Sequence, residues 1–109
     1  MIKIIQKDRT IKIVWKHDRL SNHNDIDGFT HCTLNLITPK GKIVATWEEK
    51  FMFLHFDNFN KDYGRKSSLK KVLSKIGYQT LSKEDKKEIW KQYFTMINKS
   101  YIFKKNNKN

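Results

Sequence analysis

The hydrophobic period of this chain changes once, and the change divides it into two halves. Up to Phe53 apolar residues alternate with polar ones. Beyond it, Leu69, Val72, Leu73 and Ile76 fall at i, i+3, i+4 and i+7. Alternation of two is the repeat of a half-buried strand, and the longer spacing is one face of a helix. A strand-rich half followed by a helical half predicts an α+β domain: an antiparallel sheet of about four strands, with two C-terminal helices packed on one face.

In chain order, Ile2, Ile4 and Ile5 and then Ile11, Ile13 and Trp15 flank the polar centre Lys7-Asp8-Arg9-Thr10, which predicts two strands joined as a hairpin. Ile11, Ile13, Trp15 and His17 share one face of the second strand. Residues 18–28, rich in Asn, Asp and Ser, read as a loop. Strands over 29–37 and 42–53 enclose Thr38-Pro39-Lys40-Gly41, the signature of a type I turn with a left-handed residue after it. Alternation leaves open whether His31, Thr33 and Asn35 or their neighbours line the uncovered face. Gly77 stands just past Ile76 as a helix C-cap. Ser82 and Asp85 have the spacing of a capping box for a second helix reaching about Phe103. Its inward residues are predicted as Ile89, Trp90, Tyr93, Phe94 and Ile97, with Lys83, Lys87 and Lys91 outside.

At 109 residues the chain suits one domain, expected over 1–103, with 104–109 as a mobile basic tail. Its uncharged apolar runs are too short for a membrane span. Ile2-Lys3-Ile4-Ile5 has no small-residue cleavage site after it, so a soluble cytoplasmic protein is expected. Cys32 is the single cysteine, which excludes an internal disulfide and disfavours a thiolate zinc site.

Charge is distributed unevenly. Residues 1–63 carry ten Lys or Arg against eight Asp or Glu, a net of +2, whereas residues 64–109 carry thirteen against three, a net of +10. Such asymmetry is the electrostatic footprint of a polyanionic partner, although a run of lysines also serves simply as a solvated face.

Three groups of residues have chemistry to offer. His17, Asp18, His23, Asp25, Asp27, His31 and Cys32 are metal-ligand types within sixteen residues, but their spacings match no metal template, and no metal is assigned. Phe51, Phe53, Phe56, Phe59 and Tyr63, interleaved with His55 and Lys61, suit either base stacking or a core. Tyr63-Gly64-Arg65-Lys66-Ser67-Ser68 sits where the first helix is expected to open, with a flexible glycine, a guanidinium able to grip a phosphate and hydroxyls at the helix start. The plainer alternative is a capped turn, Ser67 or Ser68 capping the helix while Arg65 pairs with Asp57 or Asp62. A nucleotide-binding glycine loop is excluded by spacing. No catalytic constellation or cofactor fingerprint is present, so neither catalytic residues nor a cofactor are assigned.

The pattern Asp57-x-Phe59-x-Lys61-x-x-Gly64-Arg65-Lys66, followed by a short amphipathic helix and then by Glu88-Ile89-Trp90-x-x-Tyr93, resembles small, largely uncharacterised proteins of phages and other bacterial mobile elements. The resemblance covers about half of the chain and departs at Phe53-Leu54-His55-Phe56. It implies a setting in which such proteins bind and inhibit a host machine, CRISPR effectors and other defence complexes included, or attend phage nucleic acid. The expected partner is a bacterial host protein or nucleoprotein complex, with nucleic acid contacted by Arg65, Lys66, Lys70, Lys71, Lys75, Lys83, Lys87 and Lys91. The alternatives are an accessory nucleic-acid-binding protein of phage replication or transcription and, further off, a small metal-dependent nuclease.

Overall fold

The structure, a computed structural model, describes residues 1–19, 26–54 and 61–107. Four strands, β1 (Ile2–Ile5), β2 (Thr10–Arg19), β3 (Ile26–Ile37) and β4 (Ile43–Leu54), form one antiparallel sheet in the order β1-β2-β3-β4. Two helices follow, α1 (Lys61–Lys75) and α2 (Lys83–Asn107). This is the α+β fold that the change of period predicts. By their contacts, residues 3–76 and 77–109 form two compact units, Met1 going with the first and Ile2 with the second.

In the first unit each turn has a visible cause. Gln6 N–H donates to the Arg9 carbonyl at 2.8 Å, and Arg9 Nε donates to Gln6 Oε1 at 2.9 Å, closing the β1–β2 hairpin. Between β3 and β4, Gly41 N–H donates to the Thr38 carbonyl at 2.9 Å, with Gly41 at φ +90°. That left-handed position is the one glycine occupies without a Cβ clash, and it confirms the turn read from Pro39 and Gly41.

The strands are longer than alternation alone suggests. β2 runs on through His17, Asp18 and Arg19, which pair with Thr30, Phe29 and Gly28, so the Asx-rich stretch yields pairing residues at both ends. Residues 20–25 lie outside the described part. Register then sorts the faces. Ile11 lies opposite Leu36, Ile13 opposite Leu34, Trp15 opposite Cys32 and His17 opposite Thr30. Leu34 pairs with Trp47 and Thr30 with Phe51 on the other side. Ile11, Ile13, Thr30, Cys32, Leu34, Leu36 and Phe53 are buried. Packing against β3 and β4, α1 buries Leu69, Val72 and Leu73. His31, Thr33 and Asn35 therefore belong to the opposite face, the alternative that the sequence left open. There Thr46 donates to Asn35 Oδ1 at 2.7 Å and His31 Nε2 lies 3.7 Å from Glu48.

The first helix begins earlier than predicted. Gly64 is not the flexible residue before α1 but lies within it, buried against the sheet. A Cβ built on Gly64 would stand 2.2 Å from Thr30 Oγ1, 2.9 Å from Thr30 Cβ and 3.1 Å from Phe53 Cε2. The glycine is required there by close packing of helix on strand, not by a turn.

In the second unit, the capping box forms as read. Ser82 N–H donates to Asp85 Oδ2 at 3.0 Å, and Asp85 N–H to Ser82 Oγ at 3.1 Å. Leu81, Ile89 and Tyr93 are buried, and Trp90 and Ile97 are partly covered. Phe94 departs from its predicted inward position and is 48% exposed. One turn after Trp90, it stacks on that ring at 6.0 Å between centroids. The helical backbone continues past Phe103 to Asn107, since Lys104 and Lys105 are good helix formers and nothing between them and Asn107 breaks the ladder.

Candidate polyanion-binding site

The eight predicted contact residues divide between the units. Those of α1 come first. Lys70 is exposed on the side of α1 away from the sheet. Lys66 is partly covered and pairs with Asp62 one turn earlier at 3.4 Å. Lys71 and Lys75 turn toward β4: Lys71 Nζ donates to the Lys50 carbonyl at 3.1 Å and lies 5.7 Å from the Phe51 ring centroid, while Lys75 pairs with Glu49. The Lys75 ammonium, first as hydrogen-bond donor and then through charge, holds the Glu49 carboxyl below the usual carboxylate range. β4 is an edge strand. A lysine laid over its main chain occupies backbone that would otherwise template another strand, a role for Lys71 that its sequence position does not announce.

Arg65 sits otherwise than expected. It is in the second turn of α1, half-buried, and its main-chain carbonyl accepts the Trp15 indole N–H at 3.2 Å. Its Nε is buried without a hydrogen-bond partner. Ser68 is no cap. It lies in the helix interior, and its hydroxyl donates back to the Gly64 carbonyl at 2.7 Å, with a longer contact of 3.2 Å to that of Arg65. The capped-turn reading fails because the helix has already begun at Lys61, and the same start puts residues 63–68 inside α1 and not at its opening. Of the proposed partners of Arg65, Asp62 is engaged by Lys66, and Asp57 lies outside the described residues.

On α2, Lys83, Lys87 and Lys91 are all exposed at one-turn spacing, as alternation of charge and apolar residues predicts. Lys86, which the sequence does not single out, lies 4.5 Å from the Tyr78 ring centroid.

The remaining sequence candidates are dispersed. Among the described residues no group of three or more His, Cys, Asp or Glu is placed to hold a metal. The strand alternation is the cause. His17 and Cys32 point to the face covered by α1, whereas Asp18 and His31 occupy positions of the other face. His23 and Asp25 lie outside the described residues, as do His55, Phe56 and Phe59 of the aromatic group. Of that group, Phe53 is core, and Phe51 meets it edge-on at 5.1 Å and Tyr63 at 5.2 Å. Tyr63 is 57% exposed.

A polar cluster under α1 was not legible in advance. His17 Nδ1 lies 2.8 Å from Thr30 Oγ1, directly beneath Gly64. Burial, and then the nearby charges of Arg65 and Lys61, hold the imidazole below its usual pKa. Beside it the Cys32 thiol, buried and only partly compensated by a hydrogen bond with Ser68, is pushed up to about 12, so it is inert as a nucleophile at neutral pH. Finding the cluster required the β2–β3 register, which no local motif encodes.

No helix among the described residues is long and apolar enough to cross a membrane. Compared with known proteins, the chain matches no family model, no curated protein and no solved structure.

Proposed function

We propose that this is a binding protein, not a catalyst, and that lysines on its two helices engage nucleic acid, free or within a host nucleoprotein machine whose action it inhibits. The observation that carries this reading is the exposed lysine ladder Lys83, Lys87 and Lys91 on one helix, together with exposed Lys70 and partly covered Lys66 on the other, in a half-chain of net +10. Lysines spaced one turn apart follow a phosphate backbone as point charges without reading bases. Exposure bears on which lysines would make first contact. Lys70, Lys83, Lys87 and Lys91 are presented to solvent, whereas Lys71 and Lys75 must leave intramolecular partners before they can bind. The setting, a phage or mobile-element protein acting on a host defence complex in the bacterial cytoplasm, rests on the resemblance of the Asp57–Lys66 pattern.

Fluorescence anisotropy with random single- and double-stranded oligonucleotides over a salt series tests it. Changing Lys83, Lys87 and Lys91 together to Gln should weaken binding uniformly across sequences and reduce the salt slope by roughly two to three, since each neutralised phosphate contributes about 0.7 to 0.9. Binding that is absent at low salt, or indifferent to the triple change, rejects the reading. A second reading has one observation in its favour: Val44 and Met52, on the sheet face away from α1, are 60% and 56% exposed, and with Ile43 they offer apolar surface to a protein. Recovery from nuclease-treated host lysate of a partner that survives high salt would favour it.

A further inference from the structure

The lysine ladder of α2 begins beside a surface pocket of about 350 Å³, lined by Tyr78, Ser82 and Lys83. That volume lies at the small end of the range for ligand pockets. The chain around it is well fixed. Thr80 and Leu81 N–H both donate to the Gly77 carbonyl at 3.0 Å, closing a turn around Tyr78, and Leu81 is buried. Tyr78 nevertheless remains 69% exposed. A single exposed ring is ordinary on a protein surface. This one walls a pocket and carries a cation, the Lys86 ammonium, at 4.5 Å from its centroid.

The other groups of the pocket decide what suits it. Ser82 and Asp85 cap each other reciprocally, so these two N–H groups at the start of α2 are already engaged, and Glu84 and Asp85 add negative charge to the first turn. A phosphate is therefore disfavoured at the helix end itself. An uncharged planar ring that stacks on Tyr78 is not. Lys83 belongs to both features: it lines the pocket, and it is the first of the exposed lysines Lys83, Lys87 and Lys91 spaced one turn apart.

We infer that the pocket receives an unpaired base of a single-stranded nucleic acid, stacked on Tyr78, while the adjoining phosphates run along Lys83, Lys87 and Lys91. The inference rests on the reading of those lysines as a nucleic-acid contact, and it adds the strandedness of the ligand. A base inside a duplex must be unpaired and unstacked before it can enter, whereas a single strand supplies one at little cost. An aromatic platform beside cations accepts any base, because every base has a face to stack.

The test is fluorescence anisotropy with labelled oligonucleotides of one length, single-stranded and duplex, on the full chain over a salt series. The single strand should bind more tightly than the duplex. Tyr78→Ala should weaken single-strand binding by about five- to 150-fold, the range for loss of one stacked base, and should leave duplex binding and the salt slope unchanged, since no phosphate contact is removed. Tyr78→Phe keeps the ring and should restore the affinity. The exposure of Tyr78 makes loss of the fold an unlikely source of the effect, and far-UV circular dichroism of Tyr78→Ala checks it. Equal or tighter binding of the duplex, indifference to Tyr78→Ala, or failure of Tyr78→Phe to restore affinity would overturn the base pocket. The lysine contact would still stand in those cases if the triple change of Lys83, Lys87 and Lys91 to Gln lowers the salt slope. Absence of binding to either form overturns both.

Discussion

Adding one methyl group at Gly64 tests the packing that places the candidate site. Gly64→Ala would normally stabilise a helix interior by about 1 kcal/mol, through propensity alone. Here the added carbon would stand 2.2 Å from Thr30 Oγ1 and 3.1 Å from Phe53 Cε2, and both residues are buried. The first distance is far inside van der Waals contact. Thr30 cannot turn away freely, because its hydroxyl is held by His17 at 2.8 Å. Either α1 lifts from β3 or the Thr30–His17 hydrogen bond breaks. Overpacking of this kind costs about 1 to 3 kcal/mol, and the upper end applies where one contact is strand-borne and the other a core ring. Loss of the hydrogen bond adds about 1 kcal/mol. Against the propensity gain, the net is a destabilisation of about 3 kcal/mol. Urea unfolding followed by tryptophan fluorescence and far-UV circular dichroism measures it, and at roughly 4 to 8 °C per kcal/mol the melting temperature should fall by about 15 °C. A double-mutant cycle sharpens the test. In a Thr30→Ala background the obstructing oxygen is gone, so the same glycine change should cost about 1 kcal/mol less or better. If Gly64→Ala leaves stability unchanged or raises it, or if the two changes are additive, the close-approach account of Gly64 is refuted.

Further outcomes follow from other residues. Ser82→Ala removes one half of the reciprocal cap on α2 and should cost about 1 kcal/mol, seen as a lower urea midpoint together with reduced helicity. The Cys32 thiol, buried and pushed up to about 12, should resist a thiol reagent at pH 8 in the native protein and react fully once denatured; rapid native reaction would contradict the packing of α1 on β3. His17 is held below its usual value by burial and by Arg65 and Lys61, so the unfolded chain takes up a proton at a higher pH than the folded one. Stability should therefore be complete above the ordinary histidine value of about 6.5 and fall as pH drops through the lower folded value, and His17→Asn should flatten that part of the pH profile. Lys71→Ala uncovers the main chain of edge strand β4, and sedimentation should then show greater self-association at high protein concentration.

How far the sequence could be read depended on whether a signal was local. The β1–β2 hairpin, the Pro39–Gly41 turn, the Ser82–Asp85 cap and the apolar stripe of α1 are each written in a few adjacent residues, and each is present in the structure. The start of α1 is not fixed by sequence alone, because glycine serves two purposes that look alike in one dimension, as turn residue and as point of close approach. Only the neighbour Thr30, thirty-four positions earlier, separates them. Among the described metal-ligand types between His17 and Cys32, closeness in sequence does not make a cluster, because strand alternation sends His17 and Cys32 to one face and Asp18 and His31 to the other. The reverse holds for Lys71 and Lys75, which their composition offered to a partner and which the nearby edge strand engages instead.

The missing side chain at Gly64 lets the first turns of α1 come down onto Thr30, and in the same turn the Arg65 carbonyl accepts the Trp15 indole N–H at 3.2 Å while Arg65 Nε is buried. The close approach and the tie to β2 therefore stand or fall together. Gly64→Ala should have two effects that separate in measurement: a loss of stability, and a shifted Trp15 indole N–H signal under conditions where the protein is still fully folded. Lys70→Gln supplies the control, because an exposed charge of the same helix should alter neither. An indole signal that stays in place in folded Gly64→Ala protein would show that the Trp15–Arg65 hydrogen bond does not depend on the close approach at Gly64.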